Sequence, residues 1–524
     1  MTELDVDIVI VGSGAAGGTL AATLSEHTDA RILLLEKGGH FTKESFNQRE
    51  WEMTRMLYAG EGTRSTFDGG LPVRGGECVG GGTTVNIALS FDPVQRVWEG
   101  WRNELGLEGF SFDAEVDDYG ASGLNMAGCL ASVRERLGVF TPADEQINAN
   151  NRSFERGCTA MGVSARRFEL NMRDCIGCGF CAVGCAYDAK QGTLVTYIPD
   201  AMERGVQLVH HCDVQDVVFS RDGSRAVGLR AHVSPTRAGS RPNTVAPGEL
   251  KVNAKLVILA AGAIASPMIL ARSRLPDPHD LLGRGLILHP SLPFAGFMPH
   301  DIIGQRGIEG SYYSDHFAES HGFYLECMFG HPVYGAALLP GFGSEHYQML
   351  RNYRRIAGFG VMLIDTVNQN NRVEWSERER KADIHYSIGE DDAQRLRFAA
   401  ERAVEIMFAA GAREVVIPAE GPLGSLPAAR LRSAEQAGNC EALSFEPHRT
   451  VLTSAHPQAT MKMSARPNEG MLNARAETHA VQNLIVCDAS SFPASCGANP
   501  MISIITMARY QGIRIAHEWS RYEP

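Results

Sequence analysis

Asp7-Ile8-Val9-Ile10-Val11-Gly12-Ser13-Gly14-Ala15-Ala16-Gly17 stands near the N-terminus, and Arg31-Ile32-Leu33-Leu34-Leu35-Glu36 follows it. After Asp7, Ile8 to Val11 are apolar and β-branched, the pattern of a buried parallel strand. Gly12 to Gly17 spells G-x-G-x-x-G. Ala15 to Ser25 carries small and apolar residues suited to a helix packed on a sheet. Arg31 to Leu35 reads as a second strand, and it ends in an acid. In such a unit Gly12 permits the tight turn, Gly14 lets backbone approach a pyrophosphate, and Gly17 lets the helix sit close to the strand. Ala15 and Ala16 open the helix, whose free N–H groups suit phosphate oxygens. Glu36 lies 19 residues after Gly17, placed to accept a hydrogen bond from a ribose hydroxyl. The stretch therefore predicts a Rossmann-type dinucleotide site, and by itself it fits NAD and FAD equally.

The rest of the chain is long enough for two domains: 524 residues exceed one simple core. At 44% hydrophobic and 21% charged residues it has the composition of a globular protein. A net charge of −12 leaves no basic excess to neutralise phosphates and argues against a nucleic-acid partner. No apolar run reaches the length of a membrane span, and no leader pattern precedes the first strand, so a cytoplasmic location is the expectation. There the 12 cysteines should be thiols or metal ligands rather than disulfides.

Four cysteines need their own account. Cys175-Ile176-Gly177-Cys178-Gly179-Phe180-Cys181-Ala182-Val183-Gly184-Cys185 has the spacing C-x2-C-x2-C-x3-C, that of bacterial ferredoxin loops. Glycine turns let thiolates at Cys175, Cys178, Cys181 and Cys185 face one centre. An iron–sulfur cluster is the leading reading; zinc, and a knot of thiols without metal, remain open.

Two further stretches read as ligand-facing. Gly80-Gly81-Gly82-Thr83-Thr84-Val85-Asn86 makes a poor helix or strand interior and suits backbone passing close to a flat ligand. Leu256 to Gly262 reads as a buried strand ending in small residues. Ser266-Pro267 then predicts a helix start, with Ser as cap and Pro in the first turn. From about 294 to 449 the composition turns aromatic, with strand-like runs and one clear helix over Asp391 to Ala410. Near the C-terminus, Asn483 to Ser490 reads as a strand with an acid, Asp488, and a hydroxyl at its end, and Asn499-Pro500-Met501 as a capped helix start.

Taken together, the Gly12–Glu36 unit, Gly80 to Asn86, Gly262-Ala263-Ile264-Ala265-Ser266-Pro267, Gly283 to Pro290, and His456 with Asn499-Pro500 resemble the glucose–methanol–choline (GMC) flavoprotein oxidoreductases. The texture is closest to the long-chain-alcohol oxidase and dehydrogenase branch, which pairs a Ser-Ala-His-like motif with a cysteine-rich loop and an Ala-Lys dipeptide, here Ala189-Lys190. Family sugar dehydrogenases with an iron–sulfur cluster have a similar loop; Cys175, Cys181 and Cys185 look like their ligand positions, with Cys178 extra, so a 3Fe-4S or 4Fe-4S cluster is implied. Ala459 and Lys462 depart from the family's usual glycine and arginine.

The resemblance implies an α/β Rossmann-like FAD-binding domain, residues 1–295 and 450–524, with the cysteine insertion around 173–190. It also implies an α+β substrate domain containing an antiparallel sheet, residues 296–449. FAD would be held by Gly12, Gly14, Ala15, Ala16, Gly17, Glu36, Gly81, Gly82, Thr83, Asn86, Val214, Ala261, Asp488, Pro500 and Met501. His456 would take an alcohol's proton while Asn499 hydrogen-bonds the same oxygen, and a hydride would pass to the flavin. The base suits a pKa near the operating pH, where an ordinary histidine already lies. An apolar or bulky alcohol is expected, with electrons passing onward to an acceptor protein or quinone. The alternatives are direct reaction with oxygen and a redox-neutral isomerase or lyase.

Overall fold

A computed structural model describes residues 2–419 and 429–523. The strand Thr2–Val11 lies at the centre of a seven-stranded sheet. It pairs in parallel with Ile32–Leu35 on one side and Gly248–Leu259 on the other, with Val9 opposite both Leu33 and Val257. Gln207–Val209 extends the sheet beyond Ile32–Leu35, and Leu484–Val486 pairs with the end of Gly248–Leu259. The antiparallel hairpin Cys212–Phe219 and Ala226–Val233 adds the remaining edge. Both faces of the parallel part are covered, which explains runs such as Ile8 to Val11 with no polar alternation.

The helix Ala15–His27 packs on this sheet beside the C-terminal helix Met501–His517. A Cβ on Gly512 would meet Thr23 Cγ2 at 2.8 Å, so the two helices touch where glycine permits it. The ends of the chain thus share one layer. Trp98 and Trp101, on the helix Gln95–Leu105, are buried in this core beside Phe492.

A second sheet is antiparallel throughout. Its order is Arg430–Leu431, Glu414–Val416, Ser291–Phe297, Ile356–Leu363, Phe323–Cys327, Tyr312–Ser314 and Arg166–Arg167. The strand Arg166–Arg167 and most of Ser291–Phe297 lie ahead of residue 296, in the part that the resemblance gives to the FAD-binding domain, and belong to this sheet. Alternation divides the two faces. Leu292 and Val361, opposite one another, join the core under the helix Glu390–Ala409. Pro293 and Gly360, the next pair, face a cavity between this sheet and the Rossmann part.

Three local expectations shift. The helix expected to start at Ser266 spans Gly262–Arg272, with Pro267 inside it. Pro267 has no N–H for the Ala263 carbonyl, and Thr460 Oγ1 donates to that oxygen instead, at 2.7 Å. Ser266 is not a cap; its hydroxyl donates to Asp488 at 2.6 Å. The C-terminal helix is capped by Pro500, and Asn499 makes no capping bond. Finally, the glycine run does enter a helix: one turn, Gly82–Val85, behind Gly81 at φ +51°.

Candidate active site

Two glycine turns build the floor of the site. Gly12 sits at φ +96°, where a Cβ would drive into the Ala260 carbonyl. Gly14 differs: a Cβ there would meet only Gly81 Cα, at 3.8 Å. A Cβ on Gly81 would meet Gly14 Cα at 2.8 Å, and one on Gly82 or Gly262 would meet nothing within 4 Å. The glycine turns therefore abut and leave bare backbone facing open space, the geometry a dinucleotide needs. Residues of both turns, Ala15, Gly82, Thr83 and Asn86, reach the wall of a cavity of about 410 Å³. An FAD fits this cradle and cavity.

The acids expected around the cofactor are tied down by the protein. Glu36 accepts from Ser13 N at 3.0 Å, Ser13 Oγ at 2.7 Å and Gly38 N at 2.8 Å. Burial raises its pKa. Asp488 accepts from Gly262 N at 2.8 Å and Ser490 N at 2.8 Å as well as from Ser266. It pins the Gly262–Arg272 helix beside Ala261. Val214 is buried on its strand two residues past Cys212, whose N–H donates to the Glu36 carbonyl at 2.8 Å. Ala16, Gly17, Glu36, Val214, Ala261 and Asp488 thus surround the glycine cradle without lining the large cavity.

The cavity's other wall carries the expected chemistry. His456, Asn499, Pro500 and Met501 all line it. Met501 begins the 17-residue helix, so unpaired N–H groups and the positive end of the helix dipole lie at the cavity. Asn86 Nδ2 donates to Met501 Sδ at 2.9 Å, joining the glycine loop to that terminus. His456 differs from expectation: burial holds its imidazole down at about 4 rather than near neutrality. It is uncharged at pH 7, with a basic nitrogen available. Its neighbour His289, ring centroids 5.5 Å apart, is also pushed down by burial and bonds Ser495 Oγ at 2.6 Å. The remaining lining is largely apolar and aromatic, including Phe294, Phe329, Leu339, Tyr353, Phe359 and Ile504.

Glu309 and Glu326 escaped the sequence reading, and His289 and Lys190 stood in quoted motifs without a role. Glu309 and Glu326 are buried acids on the cavity wall, pushed up by burial to about 8 and about 7. The available signal was an acid inside an apolar run, as in Phe323-Tyr324-Leu325-Glu326-Cys327. Lys190 Nζ is buried and donates to the carbonyls of Thr84, Asn86 and Cys181 at 2.6–2.7 Å.

The cysteine loop resolves differently from the cluster expectation. Cys175, Cys178, Cys181 and Cys185 line one small cavity together with Lys190. All are free thiols, as are the other eight cysteines. Cys181 is buried while the other three are half-buried. Among the described residues, no three His, Cys, Asp or Glu side chains are arranged to hold a metal ion. Positive-φ turns at Gly177, Gly179 and Gly184 bring the thiols around one space without converging them on a point. The side chains as placed do not fit an iron–sulfur or zinc ligand set.

A glycine cradle opening onto a half-buried imidazole and a buried amide fits a dinucleotide-dependent oxidoreductase. Family profiles described as GMC oxidoreductase match residues 54–291 and 367–508, and a NAD(P)-binding Rossmann-like profile matches 10–57. A GMC-type oxidoreductase of Mycobacterium tuberculosis is 31% identical over 508 residues, 96% of this chain and 74% of that protein. The chain belongs to the GMC oxidoreductases. A long-chain-alcohol oxidase of Arabidopsis thaliana is 26% identical over 98% of this chain and 69% of its own length. Among solved structures, pyridoxine 4-oxidase from Mesorbium loti matches with a TM-score of 0.68 at 18% identity, over 99% of this chain and 100% of that one. An Aspergillus oryzae formate oxidase studied for its FAD modification matches with a TM-score of 0.69 at 13% identity, over the whole of both chains. These two likenesses concern the fold. Among the described residues, no helix is long and apolar enough to cross a membrane.

Proposed function

We propose that this protein oxidises an apolar or bulky alcohol to the carbonyl, with FAD as its cofactor. The observation that carries this reading is one cavity, largely apolar, in which His456 and Asn499 share the wall with the cofactor-side residues Gly82, Thr83 and Asn86. FAD, when bound, supplies the hydride acceptor. His456, neutral because it is buried, accepts the hydroxyl proton. Asn499 hydrogen-bonds the same oxygen and fixes the direction of the C–H bond. The Met501–His517 helix terminus stabilises negative charge developing on the cofactor side. The apolar lining excludes water and favours a hydrocarbon substituent over a sugar or a cation.

The electron acceptor is a separate matter. Molecular oxygen is the proposed acceptor, on the likeness to the relative named a long-chain-alcohol oxidase. Oxygen uptake by the flavin-loaded protein, with a long-chain primary alcohol as the only reductant, tests this. Turnover with a quinone and none with oxygen restores the dehydrogenase reading, and iron and sulfide analysis of the same sample reports on the loop.

A further inference from the structure

Glu326 is 2% exposed on the strand Phe323–Cys327, opposite Gly360, and lines the cavity wall that carries His456 and Asn499. The Asn499 side chain lies beside its carboxylate and favours the ionised form. Glu326 Oε1 and Asn499 Oδ1 are both buried and without a partner. Both are acceptor oxygens, so the pair is one donor short. A proton on the carboxyl supplies that donor, and so does an incoming hydroxyl.

A primary amide is a donor at one end and an acceptor at the other, with nearly the same shape. Whatever bonds one end decides which end is presented. Ionised Glu326 takes the Asn499 N–H and leaves Oδ1 free. Protonated Glu326 donates to Oδ1 and frees Nδ2. The first arrangement commits one of the two Nδ2 hydrogens to the carboxylate; the second leaves both for the oxygen of an alcohol that is losing its proton to His456. We propose that Glu326 is a positioning residue for Asn499, turning the donor end of the amide toward the substrate oxygen when protonated and away when ionised. This rests on the alcohol-oxidation reading above.

The surroundings let this carboxyl titrate alone. Burial pushes it up to about 7, and among the described residues no cation offsets the effect. Tyr313, across the strand ladder, and Tyr324, two residues earlier, have phenols raised by burial and stay neutral. Gly360 brings no charge on the other side. On the same wall His456, at about 4, is neutral, and Glu309, at about 8, is mostly protonated at pH 7.

Anaerobic flavin reduction by a long-chain alcohol, followed against pH in the wild type, E326Q and E326L, tests the proposal. In the wild type the rate falls as pH rises through about 7, where burial places the carboxyl. Glutamine can donate to Asn499 Oδ1 but cannot ionise, so E326Q reacts severalfold more slowly at pH 6 and shows no such fall. E326L, with no donor, loses about tenfold or more at every pH. An E326Q profile that keeps the wild-type fall, or E326L reacting like the wild type, overturns the assignment. An infrared titration separates this from the parent reading. A protonated-carboxyl band that disappears through pH 7, is absent in E326Q and shifts in N499A supports the pairing even if no alcohol reduces the flavin. Absence of that band in the wild type, or its indifference to N499A, refutes it.

Discussion

Lys190 Nζ donates to the carbonyl oxygen of Asn86 at 2.6 Å, and the same ammonium reaches Thr84 and Cys181 at 2.7 Å. One buried cation thus ties the glycine loop on the cavity to the cysteine loop behind it. Lys190→Met keeps the bulk and removes all three donors. Each orphaned buried carbonyl costs about 1–3 kcal/mol. The variant should lose at least about 2 kcal/mol in denaturant unfolding and retain less flavin. Wild-type stability and full flavin content would contradict the role.

His456→Ala should cut turnover by about 10²–10⁴-fold while flavin stays bound. The base must be deprotonated to work. Burial depresses its pKa to about 4, so the basic form is already complete at pH 6. The acidic limb of kcat/KM should therefore rise through about 4, where an ordinary histidine would place it near 6.5. A limb near 6.5 that persists in the alanine variant removes the assignment.

Gly12 and Gly14 should fail differently. Alanine at Gly12 faces both a positive φ and the Ala260 carbonyl, so the Rossmann unit cannot form and soluble protein is lost. Alanine at Gly14 finds open space up to Gly81. G14A should fold with near-normal unfolding behaviour but bind FAD more weakly, because the methyl occupies the cradle. Equal flavin affinity in G14A and wild type, by fluorescence titration of stripped protein, would argue against the cradle.

Pro267 gives a stability test far from the chemistry. Thr460→Val removes the donor that satisfies the Ala263 carbonyl, at a cost of about 1–3 kcal/mol. The rate of flavin reduction should not change. A shift in that rate larger than the shift in stability would mean that the Gly262–Arg272 helix positions the reacting groups.

What the sequence made legible was what local pattern dictates. Continuous apolar runs gave the parallel strands, and the glycine spacing gave the turn. His456 and Asn499 entered through resemblance alone, and the structure puts both on the lining of one cavity. Asn499-Pro500 misled locally: as a dipeptide it reads as a cap, but Pro500 takes the cap position and leaves the amide at the cavity. Glu326 was illegible too: its strand neighbours are all apolar, and only the sheet register shows which face it takes. The cysteine loop is a different case. Its spacing matches a cluster loop, yet ligand geometry depends on side-chain convergence that spacing alone does not fix.

The most direct measurement is anaerobic mixing of the purified, flavin-loaded protein with a long-chain primary alcohol while the visible flavin band is recorded. Bleaching of the band with aldehyde formed in equal amount is the predicted result, and H456A should slow it by about 10² or more. Product without bleaching would point to redox-neutral chemistry. A flavin band left unchanged by alcohols, with no product, would contradict the account.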